Sequence, residues 1–253
     1  MKTKFSKSGV PYLHFGKGEP LVLIHGLGEV KEGWQNQFEL SDQYELIIPD
    51  LRGHGENYLS DISIENFAND IIELLQELDI HSAHICGLSM GGAVAQEIYR
   101  QKPSLCRSLI LNSTFHYIPD KLGKFVLNLK KNKYDELTTE QIQDQAAKLS
   151  LYSWKDNVKE QFKQYFIPRA KEFIQSAIAC TNVNNLCLLP KINVPTLVIG
   201  CQYDSILPPA IQLHMHKLIP NSEFVILRNS GHIAKLEASD RYNSLLRGFL
   251  HNN

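Results

Sequence analysis

The chain has 253 residues, 43% of them hydrophobic, and sets 26 Lys and Arg against 27 Asp and Glu for a formal net charge of −1. A chain of this size can bury about three quarters of its unfolded surface, which excludes a disordered tail and leaves one large domain or two small ones. The near-zero balance gives no broad basic surface for a nucleic acid, so none is expected as a partner.

The opening Met1-Lys-Thr-Lys-Phe-Ser-Lys-Ser-Gly9 is basic but runs into Val-Pro-Tyr-Leu-His, not into the apolar core of a secretory signal. Short apolar runs at 20–24, 44–48, 83–86 and 108–111, each bounded by turn residues, predict strands covered on both faces. None nears the ~20 residues of a membrane span. Between them, Ser63 is placed to cap a helix whose Ile64, Phe67, Ala68, Ile71, Ile72, Leu75 and Leu78 form one apolar stripe. Glu65, Asp70, Glu73 and Glu77 are expected on its wet side. The alternation resumes with strands at 195–199 and 223–227 and helices at 210–218 and 234–250, a pattern that implies a mostly parallel α/β sheet with helices on both faces. Residues 115–190 break it with helical periods alone. The expected organisation is therefore a sheet core, 1–114 and 191–253, interrupted by a helical insertion, 115–190, over the C-terminal edge of the sheet, where open α/β folds hold ligands. Five cysteines, an odd count without CxxC spacing, fit the reduced thiols of a cytoplasmic protein.

Gly87-Leu-Ser89-Met-Gly91 stands between the strand at 83–86 and a helical run. Glycines two before and two after a serine allow strand and helix to approach closely enough for a tight turn that exposes the hydroxyl. A nucleophilic serine needs a base, and the base needs an orienting carboxylate. Asp204 follows the strand at 195–199 and His232 follows the strand at 223–227, so both fall on the sheet edge that carries Ser89. Taken singly, Ser89 reads equally as a helix cap, Asp204 as a turn residue and His232 as a cap of the last helix; their coincidence on one edge favours catalysis. His25-Gly-Leu27-Gly28 follows the strand at 20–24, and the backbone N–H groups of Leu27 and Met90 are the candidate donors to an oxyanion. His25 itself reads as a structural hydrogen-bonding residue. His214 and His216 are two apart on a predicted helix and face different sides, and there is no metal-ligand cluster or dinucleotide fingerprint, so no metal or cofactor is expected.

His25-Gly-x-Gly28, Asp50-Leu-Arg-Gly-His-Gly55, Gly87-Leu-Ser-Met-Gly-Gly92, Asp204 after Val198-Ile-Gly200, and Gly231-His232 together resemble the α/β-hydrolase superfamily. The resemblance runs from residue 20 to 250 with only the insertion unmatched. It implies an eight-stranded sheet whose first strand is antiparallel, a Ser89, His232, Asp204 triad, and a mainly structural turn at Arg52 and His54. Serine at position 89 differs from the aspartate carried there by haloalkane dehalogenases and epoxide hydrolases.

The insertion holds 10 Lys and 1 Arg against 8 Asp and Glu, a net of +3 that leaves −4 on the rest. Lys155, Lys159 and Lys163 recur along one helical face, which reads either as a solvated face or as a docking surface for an acidic carrier protein. The second reading matches a similarity to the methyl esterases that act on pimeloyl groups bound to acyl carrier protein in biotin synthesis. The elbow is similar to that of 3-oxoadipate enol-lactone hydrolases. A carboxylic-ester hydrolase acting on a carrier-bound methyl ester is the leading expectation. Enol-lactone or simple ester hydrolysis, a triad-dependent lyase or carbon–carbon hydrolase, and a non-catalytic ligand-binding protein are the alternatives. Phe115, Tyr117, Phe125 and Trp154, with Leu122 and Phe166, are the candidate acyl-pocket residues, the alternative being that they form the core of the insertion.

Overall fold

The computed structural model describes residues 2–119 and 136–253; the expected pocket residues Leu122 and Phe125 lie outside them. Eight strands form one sheet: β1 (Lys4–Phe5), β2 (Pro11–Phe15), β3 (Glu19–Ile24), β4 (Tyr44–Pro49), β5 (Ala83–Leu88), β6 (Cys106–Asn112), β7 (Thr196–Cys201) and β8 (Ser222–Leu227). Their order across the sheet is β1-β2-β4-β3-β5-β6-β7-β8. The pairs from β4 through β8 are parallel, and β2 is antiparallel to both of its neighbours. The reversed strand is thus the second and not the first. Only residues 16–18 separate β2 from β3, too few for the crossover that a parallel connection needs.

The central strands are buried on both sides, and their side chains divide with period two. Val22, Ile24, Ile85 and Leu111 pack with α1 (Ile64–Glu77), α2 (Met90–Gln101) and Met215 of a later helix on one face. Leu21, Leu23, Cys86, Leu88 and Ile199 pack with Trp34 of a 3₁₀ stretch, Lys31–Asp42, on the other face. Ser63 caps α1 by accepting the Asn66 N–H at 3.1 Å. One residue of its expected wet side is buried: Asp70 receives Arg52 through Nε at 2.7 Å and Nη2 at 2.8 Å, so the charge goes inside with its partner.

Between β6 and β7 lie α3 (Thr139–Ser150), α4 (Asp156–Tyr165) and α5 (Ala170–Thr181), and α6 (Pro209–Leu218) joins β7 to β8. Thr138 and Gln141 form a reciprocal capping box at the start of α3. Buried side chains of α3 to α5 join the same two clusters as the sheet: Ile142, Ala147 and Phe162 belong to one, and Ala179 and Cys180 to the other. The expected final helix is two, α7 (Ala234–Glu237) and α8 (Ser239–His251), broken at Ala238. Tyr242, Leu246 and Phe249 of α8 complete the second face.

Candidate active site

The turn from β5 to α2 puts Ser89 at φ 54°, ψ −117°, a left-handed conformation that a serine adopts at a cost. The glycines permit it. A Cβ on Gly87 would stand 2.2 Å from the Gly91 carbonyl oxygen, and one on Gly91 would stand 2.4 Å from that of Ile24, so the turn closes only if both lack side chains. Its ends are tied down by the Ser89 N–H, which donates to the Asn112 carbonyl at 2.9 Å, and by Thr114 Oγ1, which donates to the Ser89 carbonyl at 2.6 Å. The Ser89 side chain makes no capping bond to α2, which leaves the hydroxyl for other chemistry.

Asp204 and His232, from the loops after β7 and β8, meet at 2.7 Å between Oδ2 and Nδ1. The other carboxylate oxygen accepts the N–H groups of Ile206 at 3.0 Å and Leu207 at 2.8 Å. Asp204 is therefore a turn residue and the partner of a histidine at once. A carboxylate is an acceptor, so Nδ1 of His232 carries the proton and Nε2 has a free lone pair. The His232 loop is held from two sides: its N–H donates to the Ser150 carbonyl at 2.7 Å, and Glu237 accepts the N–H groups of Gly231, Tyr152 and Ser153. Burial pushes the Glu237 carboxyl above its ordinary range, against the pull of those three donors.

The loop after β3 lies against the serine, with a Cβ built on Gly26 only 3.4 Å from the Ser89 Cβ. His25 is fully buried; its Nε2 accepts the Leu51 N–H at 3.0 Å, so its Nδ1–H donates to the Gly26 carbonyl at 2.8 Å. Burial holds its pKa low, so the ring stays neutral and structural. Met90 is the first residue of α2, where an N–H has no carbonyl one turn back to bond. Ser89, His232 and Leu27 line one cavity of about 360 Å³, whose other walls are largely apolar: Ala146, Leu149, Phe166, Phe173, Ala177, Ile206 and Ile233. The edge of the sheet thus brings a strained serine and a histidine held by a carboxylate to one apolar hollow, an arrangement suited to acyl transfer.

Comparison with known proteins decides the family, because the model of the alpha/beta hydrolase fold family matches residues 19–239. The chain belongs to that family. It is 27% identical to the putative carbamate hydrolase RutD of Stutzerimonas stutzeri over 91% of this chain and 92% of that one. A thermophilic esterase from Thermogutta terrifontis superimposes with a TM-score of 0.88 at 26% identity, covering 99% of this chain and 96% of its own. The enol-lactonase from Burkholderia xenovorans shares the fold, with a TM-score of 0.87 at 22% identity over 99% of this chain and all of its own.

In this hydrolase several expected residues stand elsewhere. Phe115 is buried in the core beside α2 and its carbonyl accepts from Gln96, Tyr117 pairs with Asn184 in a short bridge, and Trp154 is 54% exposed; none lines the cavity. Aromatic character alone does not carry a side chain to the hollow; the face of a packed helix that turns inward does. Of the aromatic residues proposed, Phe166 does line it. Lys163 pairs with Asp144 and Lys159 with Asp156 at 2.8 Å, while Lys155 at the start of α4 is exposed. Arg52 and His54 are structural: the guanidinium is engaged by Asp70, and His54 is buried with Nδ1 on the Arg52 carbonyl. His214 meets His116 at 3.1 Å, and among the described residues no group of three or more side chains is set to hold a metal. No helix among them is long and apolar enough to cross a membrane.

Sequence reasoning missed Glu29, Lys235 and Glu237, three buried or half-buried charges around the site. Glu29 directly follows the His25-Gly-Leu-Gly28 motif, a place where a carboxylate is a usable signal. Lys235 offers none, since its partner is 206 positions away.

Proposed function

We propose that this protein is a serine carboxylic-ester hydrolase working through an acyl-serine. The observation that carries the reading is the Asp204 to His232 bond beside a serine held at positive φ, with both catalytic side chains lining one cavity. His232 Nε2 takes the Ser89 proton as Oγ attacks the ester carbonyl, and the Leu27 and Met90 N–H groups hold the oxyanion. His232 then protonates the leaving alcohol and activates a water that releases the acid. Asp204 keeps the imidazole in the working tautomer and stabilises its charged form. Every step uses groups of the chain and water. The test is turnover of p-nitrophenyl butyrate together with covalent labelling of Ser89 by a fluorophosphonate. Labelling without turnover of any ester would favour a ligand-binding protein instead, and turnover confined to carbon–carbon substrates would favour that class of hydrolase.

In this reading the sheet region supplies the reaction and the inserted segment, 115–190, selects the substrate. Among the described cavity residues Glu29 is the one carboxylate, and no Lys or Arg joins it, which supports an uncharged acyl group. The methyl ester of a carrier-bound acyl chain is the specific substrate favoured, with the acidic carrier meeting the insertion near Lys155. An enol-lactone is the second reading; the likeness in fold to the Burkholderia enol-lactonase supports it. Turnover of a carrier-bound methyl ester, an enol-lactone and a butyrate ester, measured side by side, separates these.

A further inference from the structure

The Leu27 N–H and the Gly26 carbonyl belong to one planar trans peptide, so whatever fixes the carbonyl aims the N–H in the opposite direction. The Gly26 carbonyl receives His25 Nδ1–H at 2.8 Å and the Glu29 N–H at 3.3 Å. The peptide before it is fixed too, because the Gly26 N–H donates to Glu29 Oε2 at 3.0 Å. Glu29 therefore grips both sides of a glycine, the residue with the greatest freedom to swing. Its own carboxylate is held in turn. Oε1 meets Lys235 Nζ at 3.0 Å, and that ammonium also donates to the Gly33 carbonyl and sits 4.7 Å over the Trp34 ring. Lys235 and Glu29 are 1% and 6% exposed, so the pair is almost wholly buried.

We propose that Glu29, braced and neutralised by Lys235, is the positioning residue of the oxyanion hole. The proposal rests on the ester-hydrolase reading. The ammonium also acts through its charge. An unpaired carboxylate in the wall of this cavity would oppose the negative charge that develops on the substrate oxygen, and Lys235 cancels it. The pair joins the oxyanion loop to the segment three residues beyond His232, so donor and base are referenced to each other.

The experiment compares E29A, K235M and the double variant E29Q/K235M by steady-state kinetics on p-nitrophenyl butyrate and by the rate of Ser89 labelling with a fluorophosphonate, with thermal melts on each. E29A, which removes the acceptor of the Gly26 N–H and so loosens one of the two peptides that flank this glycine, is expected to lose about 10- to 100-fold in kcat, short of the full loss of a donor, with KM within about twofold. K235M is expected to slow kcat although the Glu29 to Gly26 bond survives. E29Q/K235M keeps an acceptor for the Gly26 N–H and buries no charge, and is expected to return to within about fivefold of the wild type. Should E29A not fold, K235M against the double variant carries the comparison alone. A double variant as slow as K235M overturns the proposal, as does E29A labelling at the wild-type rate. A wild type that neither turns over esters nor labels at Ser89 overturns the functional reading and this proposal with it.

Discussion

The loops at the C-terminal ends of β5, β7 and β8 and the helices α3 and α5 face each other across the same cavity, yet they are built to different tolerances. On the sheet side each proposed catalytic residue is held more than once: Asp204 bonds two backbone donors through one oxygen and His232 through the other, and Ser89 is pinned through its N–H and its carbonyl. On the helical side the wall is mostly apolar, with Ala146, Leu149, Phe173 and Ala177 beside Gln145 and Ser150, and the apolar groups act through shape. In the proposed reaction, rate would be set where geometry is strict, and selectivity where volume can change.

That contrast breaks first at the nucleophile. Ser89→Ala is expected to lower ester turnover by about 10⁶ if the triad acts as a unit, measured as kcat on a short p-nitrophenyl ester. Near wild-type turnover would remove the mechanism. Gly91→Ala forces a Cβ to 2.4 Å from the Ile24 carbonyl oxygen, so a loss of at least about 10² in kcat is expected, together with a lower melting temperature. On the helical side Ala177→Phe should leave butyrate turnover within about threefold while lowering kcat/KM for an octanoate ester about tenfold, because it fills the hollow without touching the triad.

A smaller effect belongs to His54. Burial, then the neighbouring His25, pushes its pKa down to about 3, so the folded protein holds it neutral where the unfolded chain binds a proton. Its share of stability is complete above about pH 6.5 and is lost as pH falls toward about 3. His54→Asn should flatten the fall in melting temperature between pH 7.5 and 4.5; an unchanged slope would assign the acid sensitivity to other groups. The smallest effect is expected of Lys155→Glu, a rise of about two- to fivefold in KM for a carrier-bound ester with none for butyrate. Lys159 and Lys163 should contribute less, since each already faces an aspartate. Equal changes on both substrates would count against carrier docking.

The same difference in tolerance governs what was legible beforehand. Glycines at 87 and 91 and the turn chemistry at Asp204 and His232 are local demands, written where they act, and six strands announced themselves as apolar runs. β1 and β2 did not, being short: β1 is two exposed residues, and Pro11 opens β2. The cavity wall was illegible because it depends on which face of α3 and α5 turns inward, a matter of long-range packing. Trp154 looked like a pocket residue by type and is on the surface. Asp70 looked solvated by spacing, yet Arg52, 18 residues away, draws it inside. The ion pair of Glu29 with Lys235 exists only once β3 and α7 have met.

The sharing of both hydrophobic clusters between the sheet and the inserted helices has a thermodynamic consequence. Ile142, Phe162 and Phe166 close the layer that also holds Leu88 and Ile199, so melting the insertion would expose the sheet that carries the serine. The protein should unfold in one cooperative step, with calorimetric and van't Hoff enthalpies equal. Exchanging the insertion for a relative's would then alter substrate range and global stability together, and a hybrid chosen for its pocket alone would need its underside recut to the same two layers.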